Sequence, residues 1–406
     1  MKGEESGVTR VVQDAYIVAA VRIAVGKAPR GMYRHTRPDD MLAFVLREAV
    51  HRCAALPAAD VEDVIVGCAM PEAEQGLNVA RIAALLAGYP DRVPGMTVNR
   101  FCASSLEAVA LAADRIRTGD ADVMVAAGTE SMSRVPMGGN KPSFNPAVFA
   151  KSEHVAIAYG MGITAEKVAQ RYQVGRAAQD EYAVESHRRA VAAASAGEFD
   201  AEIVPFPVTE RTPDLGSRAV RVSSRDVARD EGPRADTSVE ALAMLKPAFS
   251  VHGSVTAGNS SQMSDGAGAV VLMSEAAMRR YGLAPLARFR SYAVAGVPPE
   301  AMGIGPVQAV PIALQRAGIT AAELQWIELN EAFAAQTLAV MRELDLDPAK
   351  VNPLGGAIAL GHPLGATGAI RTATLVHGLR RRRLACGLIT MCVGTGMGVA
   401  AVFEAL

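Results

Sequence analysis

The two ends of this chain repeat each other, and that repeat limits the fold more than any single motif does. Ala58-Ala59-Asp60-Val61-Glu62-Asp63-Val64 is matched by Ala321-Ala322-Glu323-Leu324-Gln325-Trp326-Ile327, each after an Ala-rich helical pattern. Thr97-Val98-Asn99-Arg100 is likewise matched by Lys350-Val351-Asn352-Pro353, each leading into a small-residue turn and a helix. Self-similarity of this kind predicts an internal duplication. At 406 residues the chain is long enough for two lobes or one large double-layered body.

Short β-branched runs at 16–21, 61–66 and 123–127 predict buried strands, and the patterns at 41–53 and 106–116 predict helices. The far end does the same, with strands expected at 324–329, 388–392 and 399–403 and helices at 307–317 and 366–379. Half the residues are hydrophobic and only 5% aromatic, so the core is built from small side chains. This alternation predicts parallel-rich sheets with helices on their faces. Between the halves the character changes. Turn-rich Met137-Gly138-Gly139-Asn140-Lys141-Pro142 and Asn145-Pro146 are followed by polar helical patterns at 164–172 and 177–196, then by a charged segment over 210–234. Residues 133–263 read as an insertion lying over the body, where substrate-contacting loops are often placed.

A net charge of −1 with both signs interspersed gives no electrostatic reason to expect nucleic acid or a membrane surface as partner. The arginine run 380–383 reads as a solvated helix end, where cations suit the dipole. Five cysteines, an odd number without a Cys-x-x-Cys spacing, argue against a disulfide framework or a metal site and favour a reduced, cytoplasmic setting. Residues 1–10 are polar and lack the apolar core of a signal peptide. No unbroken apolar stretch reaches the roughly 18 residues needed to span a bilayer.

Four blocks carry the candidate chemistry. Cys102 lies in Val98-Asn99-Arg100-Phe101-Cys102-Ala103-Ser104-Ser105, a strand–turn–helix pattern. A thiolate there would meet the helix's first free N–H groups, which predicts a pKa below the roughly 8.5 of a free cysteine. An isolated cysteine is more often a small buried hydrophobe, but the Ala-Ser-Ser flank suits an approaching ligand. Cys392 ends an apolar strand and enters Val393-Gly394-Thr395-Gly396-Met397-Gly398, a loop whose N–H groups can approach a ligand. Cys53, Cys68 and Cys386 read as structural. His362 stands in Gly361-His362-Pro363-Leu364-Gly365-Ala366-Thr367-Gly368, an imidazole among apolar residues and glycines, as a base for a thiol requires. Asn330, directly after the strand at 324–329, is either a helix cap or the holder of a water facing a carbonyl oxygen. The segment Ser254-Val255-Thr256-Ala257-Gly258-Asn259-Ser260-Ser261 is either a loop with a tight turn or the wall for a thin ligand arm.

In this order, from about residue 14 onward, the blocks resemble the thiolase family. The resemblance implies a five-layered αβαβα core of two duplicated halves, 1–132 (completed by 264–284) and 285–406, with 133–263 as a loop domain covering the coenzyme A site. It implies Cys102 as the acylated nucleophile, His362 as the base that takes its proton, and Cys392 as the acid/base at the substrate α-carbon. It places one oxyanion hole at His362 and an Asn330-held water, and a second at the backbone N–H groups of Cys102 and Gly394. Coenzyme A contacts match Arg234, Ser261, Met161, Phe249, Ala257, Ala332 and Phe333. No permanently bound cofactor is implied, coenzyme A being a co-substrate. Family members are homodimers or homotetramers, and degradative ones also join a hydratase/dehydrogenase subunit.

Two departures from the family pattern matter. Gly160 stands where short-chain biosynthetic members carry a histidine before Met161-Gly162. With Met161-Gly162-Ile163-Thr164-Ala165-Glu166 and Gln75-Gly76-Leu77-Asn78-Val79-Ala80-Arg81, it resembles the degradative 3-ketoacyl-CoA branch and predicts a wider acyl pocket. The usual Arg-Thr-Pro near the start is Arg22-Ile23-Ala24, read as a structural variation. The alternatives are a biosynthetic acetoacetyl-CoA thiolase, a thiolase for dicarboxylic acyl chains, and a non-catalytic acyl-CoA- or lipid-binding relative. The last would lack a thiol or the base, and ketosynthases of related fold use one cysteine with two histidines.

Overall fold

The computed structural model describes residues 12–214 and 216–406; the leaderless reading of residues 1–10 lies outside them. Twelve strands are formed among the described residues: β1 (Ala15–Arg22), β2 (Gly26–Lys27), β3 (Asp63–Gly67), β4 (Gly95–Val98), β5 (Val123–Ser131), β6 (Phe206–Asp214), β7 (Ala219–Val227), β8 (Ser264–Met273), β9 (Ala287–Gly296), β10 (Trp326–Leu329), β11 (Cys386–Val393) and β12 (Met397–Ala405). Ten of them form one hydrogen-bonded path, β10-β11-β12-β9-β1-β8-β5-β3-β4, with β2 beside β8. It divides into two half-sheets that meet where β1 pairs with β9 at Ala15, Tyr16 and Ile17.

Helices Ser104–Arg117 and Thr367–Arg382 pack on each other and touch strands of both half-sheets, so they fill the middle layer. Helix Pro38–His51 covers β5 and β8 from outside, and helix Gly305–Ala317 covers β9 and β12. The result is five layers, α-β-α-β-α. It explains why β5 and β8 are buried at every position, without polar residues alternating along Val123–Ala127 or Ala269–Met273: both faces are covered.

The repeat is real in three dimensions. Ala58–Asp60 and Ala321–Glu323 are both 3₁₀ turns feeding buried strands, β3 and β10. The second element repeats too: β3 pairs parallel with β4, and Ile327 of β10 bridges parallel to Val351. The expectation of parallel-rich sheets is corrected. Only β3–β4, β3–β5 and β10–β11 are parallel, while β1–β8, β1–β9, β2–β8, β5–β8, β9–β12 and β11–β12 are antiparallel. β12 follows β11 after three residues, too few for the crossover a parallel neighbour needs.

Over the body lie helices Met161–Arg171 and Arg176–Ser195, as the sequence implies, with a two-stranded ribbon β6–β7 inside the charged segment. That ribbon was not legible because β7 is exposed on both faces and shows no one-sided alternation. Arg22 is buried, held by Glu202 (2.6 Å) and Asp230 (2.7 Å), which ties β1 to the inserted segment. The arginine run ends helix Thr367–Arg382, and Arg381 and Arg382 pair with Glu198. All five cysteines are free. No helix is long and apolar enough to cross a membrane among the described residues.

Candidate active site

Cys102 sits in the 3₁₀ turn Phe101–Ala103, between the end of β4 and helix Ser104–Arg117. The turn forces Phe101 to φ 43°, a conformation costing a non-glycine residue roughly 1–3 kcal/mol. Local hydrogen bonds hold it there. The Phe101 N–H donates to Asn99 Oδ1 (2.8 Å), the Ser104 hydroxyl donates to Phe101 O (2.7 Å), and Arg100 N–H donates to Ser104 Oγ (2.9 Å). The thiol is therefore presented on a rigid elbow rather than on the helix itself. Its expected low pKa is corrected: burial pushes it up to about 11, although the N–H groups of Gly394 and of Cys102 itself pull the other way. Desolvation of the charged form outweighs two donors when the sulfur is this enclosed.

A thiol of that kind needs a base, and the imidazole beside Asn330 fits. His362 is buried, and its Nδ1 lies 2.7 Å from the Thr367 hydroxyl, which itself donates to Pro363 O (3.0 Å). Because that hydroxyl's one proton is used on the carbonyl, Nδ1 must carry the hydrogen in this contact, leaving Nε2 as the free acceptor. Burial first, then the Arg371 charge, lowers the imidazole to about 3, so it stays neutral at any ordinary pH. Its backbone N–H donates to Ser264 Oγ (3.0 Å). Asn330 Nδ2 is 3.3 Å from Nε2, and Asn330 Oδ1 is buried with no partner. Asn330 is not a helix cap: the next helix, Ala334–Glu343, is entered through Phe333.

Cys392 is fully buried near the end of β11, and its thiol is raised well above the ordinary range by desolvation, with the Cys102 sulfur adding to the shift. The loop after it turns through Thr395 (φ 69°) and Gly396 (φ 93°); a Cβ on Gly396 would come within 2.3 Å of Val297 O. Cys392 packs in one apolar cluster with Ala332, Phe333, Val255 and Met302, against which Met161 is partly buried. Phe249 stands edge-on to Phe333, ring centroids 6.0 Å apart. Ser261 N–H donates to Ala332 O (3.0 Å), fastening the small polar segment to the stretch that carries Asn330.

Ala257 and Arg234 line a cleft of about 450 Å³ with Lys27, His187, Leu242 and Ser260, and Ser260 bridges to Phe333 of the apolar cluster. Arg234 is exposed and turned onto Asp236 (3.0 Å), while its backbone N–H donates to His187 Nδ1 (3.2 Å). The structure thus brings Cys102 together with Cys392 and Gly394, sets His362 beside Asn330, and packs the Cys102 turn on Leu364–Ala366 of the His362 block. Sequence reasoning missed Thr367, which holds the imidazole, and Ser264, which holds the His362 backbone. Thr367 was within reach, five residues after His362 in the same block. Ser264 carried no such signal, lying 98 positions away. Among the described residues no cluster of His, Cys, Asp and Glu is arranged to hold a metal ion.

In a His362→Ala variant, only preformed thiolate at Cys102 is left to react. Its trapping by iodoacetamide is expected to keep climbing past pH 9 toward about 11. A rate–pH profile that levels near 8.5, as for a free cysteine, contradicts that.

Two half-sheets around a helical middle layer, with two neighbouring buried thiols and a neutral imidazole held beside Asn330, supply the groups a cysteine-dependent acyltransferase needs. Comparison with known proteins makes the class specific. Residues 15–276 match the thiolase N-terminal domain and residues 283–405 the thiolase C-terminal domain. The chain is 49% identical to a 3-ketoacyl-CoA thiolase of Bacillus subtilis, over 97% of this chain and all of that one. It is 46% identical to the human peroxisomal 3-ketoacyl-CoA thiolase, over 96% of this chain and 91% of that one. Among solved structures, the Bacillus anthracis acetyl-CoA acetyltransferase superposes with a TM-score of 0.87 at 40% identity, covering 98% of this chain and 100% of that chain. This chain belongs to the thiolase family.

Proposed function

We propose that the protein cleaves 3-ketoacyl-CoA with coenzyme A, giving acetyl-CoA and a shortened acyl-CoA through an acyl-Cys102 intermediate. The observation that carries this is the pairing of two buried thiols with an imidazole held neutral, its Nε2 3.3 Å from a carboxamide whose oxygen is unpartnered. His362 Nε2 takes the proton of Cys102, and the sulfur attacks the 3-keto carbon. The C2–C3 bond breaks and its electrons pass to the acetyl-CoA enolate, which takes the Cys392 proton at C2. The thiol of free coenzyme A, deprotonated by Cys392, then displaces Cys102 from the acyl group. Two sulfurs are needed because nucleophile and proton donor act on different carbons of one substrate. The N–H groups of Cys102 and Gly394 hold one oxyanion, and His362 with an Asn330-held water holds the other. Run backward, the same groups perform a Claisen condensation.

The coenzyme A arm is assigned to Ser261, Ala257 and the apolar group Met161, Phe249, Ala332 and Phe333, with Arg234 at its outer end. The division into 1–132 with 264–284, 133–263 and 285–406 belongs to the same reading. So do a homodimer or homotetramer working in the cytoplasm and association with a hydratase/dehydrogenase subunit. A biosynthetic acetyl-CoA acetyltransferase is the second reading, supported by the similarity to the Bacillus anthracis protein of that name.

Position 160 separates the two. A Cβ at Gly160 would find no atom within 4 Å, so a side chain can leave the backbone there without a clash at its first atom. Gly160→Asn and Gly160→His are both expected to fold. His at this site is expected to lower kcat/KM on a long 3-ketoacyl-CoA relative to acetoacetyl-CoA by about tenfold, the scale of a lost pocket volume. Thiolysis assays over a series of chain lengths read this directly. A wild-type protein active on acetoacetyl-CoA alone overturns the degradative reading.

A further inference from the structure

A buried carboxylate outside the reacting groups joins the two loops that carry them. Glu130, at the end of β5, is 1% exposed. Its Oε2 accepts from Ala69 N–H (2.8 Å) and Gly365 N–H (2.8 Å); its Oε1 accepts from Met70 N–H (3.3 Å) and from the Gln75 carboxamide. All four partners are donors, so the site is built for a carboxylate rather than for an amide or a protonated acid.

Each end of this bridge leads to chemistry. Gly365 is three residues from His362 in the loop that ends at Thr367, which holds the imidazole. On the other side, Ala69 O accepts from Asn99 Nδ2 (3.0 Å), and Asn99 Oδ1 accepts from Phe101 N–H (2.8 Å), the residue before Cys102. The loops are in closest contact: a Cβ on Gly365 would lie 2.6 Å from Ala69 N and 2.8 Å from Glu130 Oε2. With this little slack, the carboxylate decides how far apart the two loops stand.

We propose that Glu130 is a positioning residue that fixes the separation of the Cys102 turn and the His362 loop. The inference rests on the assignment of Cys102 and His362 above. The charge has a measurable side, because Glu130 contributes to raising the Cys102 thiol.

The test uses Glu130→Gln, the same shape with two acceptor sites traded for donors, and Asn99→Ala, at an exposed position farther along the same chain of bonds. Glu130→Gln is expected to lower kcat about 100-fold, the scale of a small misplacement of reacting groups, with KM for both substrates within about threefold. Asn99→Ala is expected to lower kcat about tenfold, and the double variant to be no slower than Glu130→Gln alone, since both cut one bridge. Trapping of Cys102 by iodoacetamide, which needs no turnover, is expected to shift to lower pH in Glu130→Gln. A protein that fails as a thiolase yet shows this shift separates the two claims. Unchanged kcat in both single variants, or losses that multiply in the double, each overturn the proposal. If Glu130→Gln does not fold, Asn99→Ala decides: kcat must fall while both KM values and the melting temperature hold.

Discussion

Cys102→Ser is expected to lower kcat for thiolysis about ten-thousand-fold and to abolish any covalent acyl-enzyme, because a hydroxyl is a far weaker nucleophile at neutral pH. Burial already pushes the Cys102 thiol up to about 11, and in the proposed mechanism His362 takes its proton. A hydroxyl is a weaker acid still by several pH units, so far less of the attacking anion forms with the same base. The replacement removes little volume, and Cys102 lies in a turn fixed by Asn99 and Ser104, so the fold should survive. Acetyl-CoA release at saturating 3-ketoacyl-CoA, with mass spectrometry of the intact protein, measures both effects. Turnover within tenfold of the parent protein would remove Cys102 from the mechanism.

Cys392→Ser should leave a different signature. This thiol is fully buried and raised above its ordinary range, so at rest it is a protonated donor beside the place where the enolate forms. Carbon–carbon cleavage needs that proton delivered to C2, and kcat is expected to fall about a thousand-fold, as for loss of a positioned general acid. Exchange of an acyl group between a simple acyl-CoA and labelled coenzyme A breaks only carbon–sulfur bonds. It still loses the base that deprotonates the coenzyme A thiol, but a thiol gives up its proton far more readily than a carbon acid, so the exchange is expected to lose at least tenfold less than thiolysis does. Equal losses in the two assays would make Cys392 a packing residue of its apolar cluster.

Much of the site was legible because its blocks are local. The turn before Cys102, the glycine loop after Cys392 and the His362 block each announce themselves within about ten residues. The convergence of those blocks was legible only through resemblance to a family. The hairpin β6–β7 was hidden because neither of its faces is consistently buried, and strand direction was hidden because periodicity is blind to polarity. The thiol's pKa was misjudged for a related reason. A helix start is visible in sequence, but the enclosure that outweighs it is made by segments from both ends of the chain.

The sequence by itself therefore determined the repeat, six of the twelve described strands (the long central β8 and β9 not among them), the main helices of the two halves and the residue types available for chemistry. These follow from contacts within a few turns or strand residues, where spacing along the chain is spacing in space. Only the tertiary structure decided that the half-sheets are mostly antiparallel, that Thr367 holds the imidazole and Ser264 the backbone of His362, that burial rather than a helix start governs Cys102, and that Glu130 bridges Ala69 and Met70 to Gly365. Those are matters of desolvation and of hydrogen bonds between distant segments, whose partners no spacing in the chain reveals.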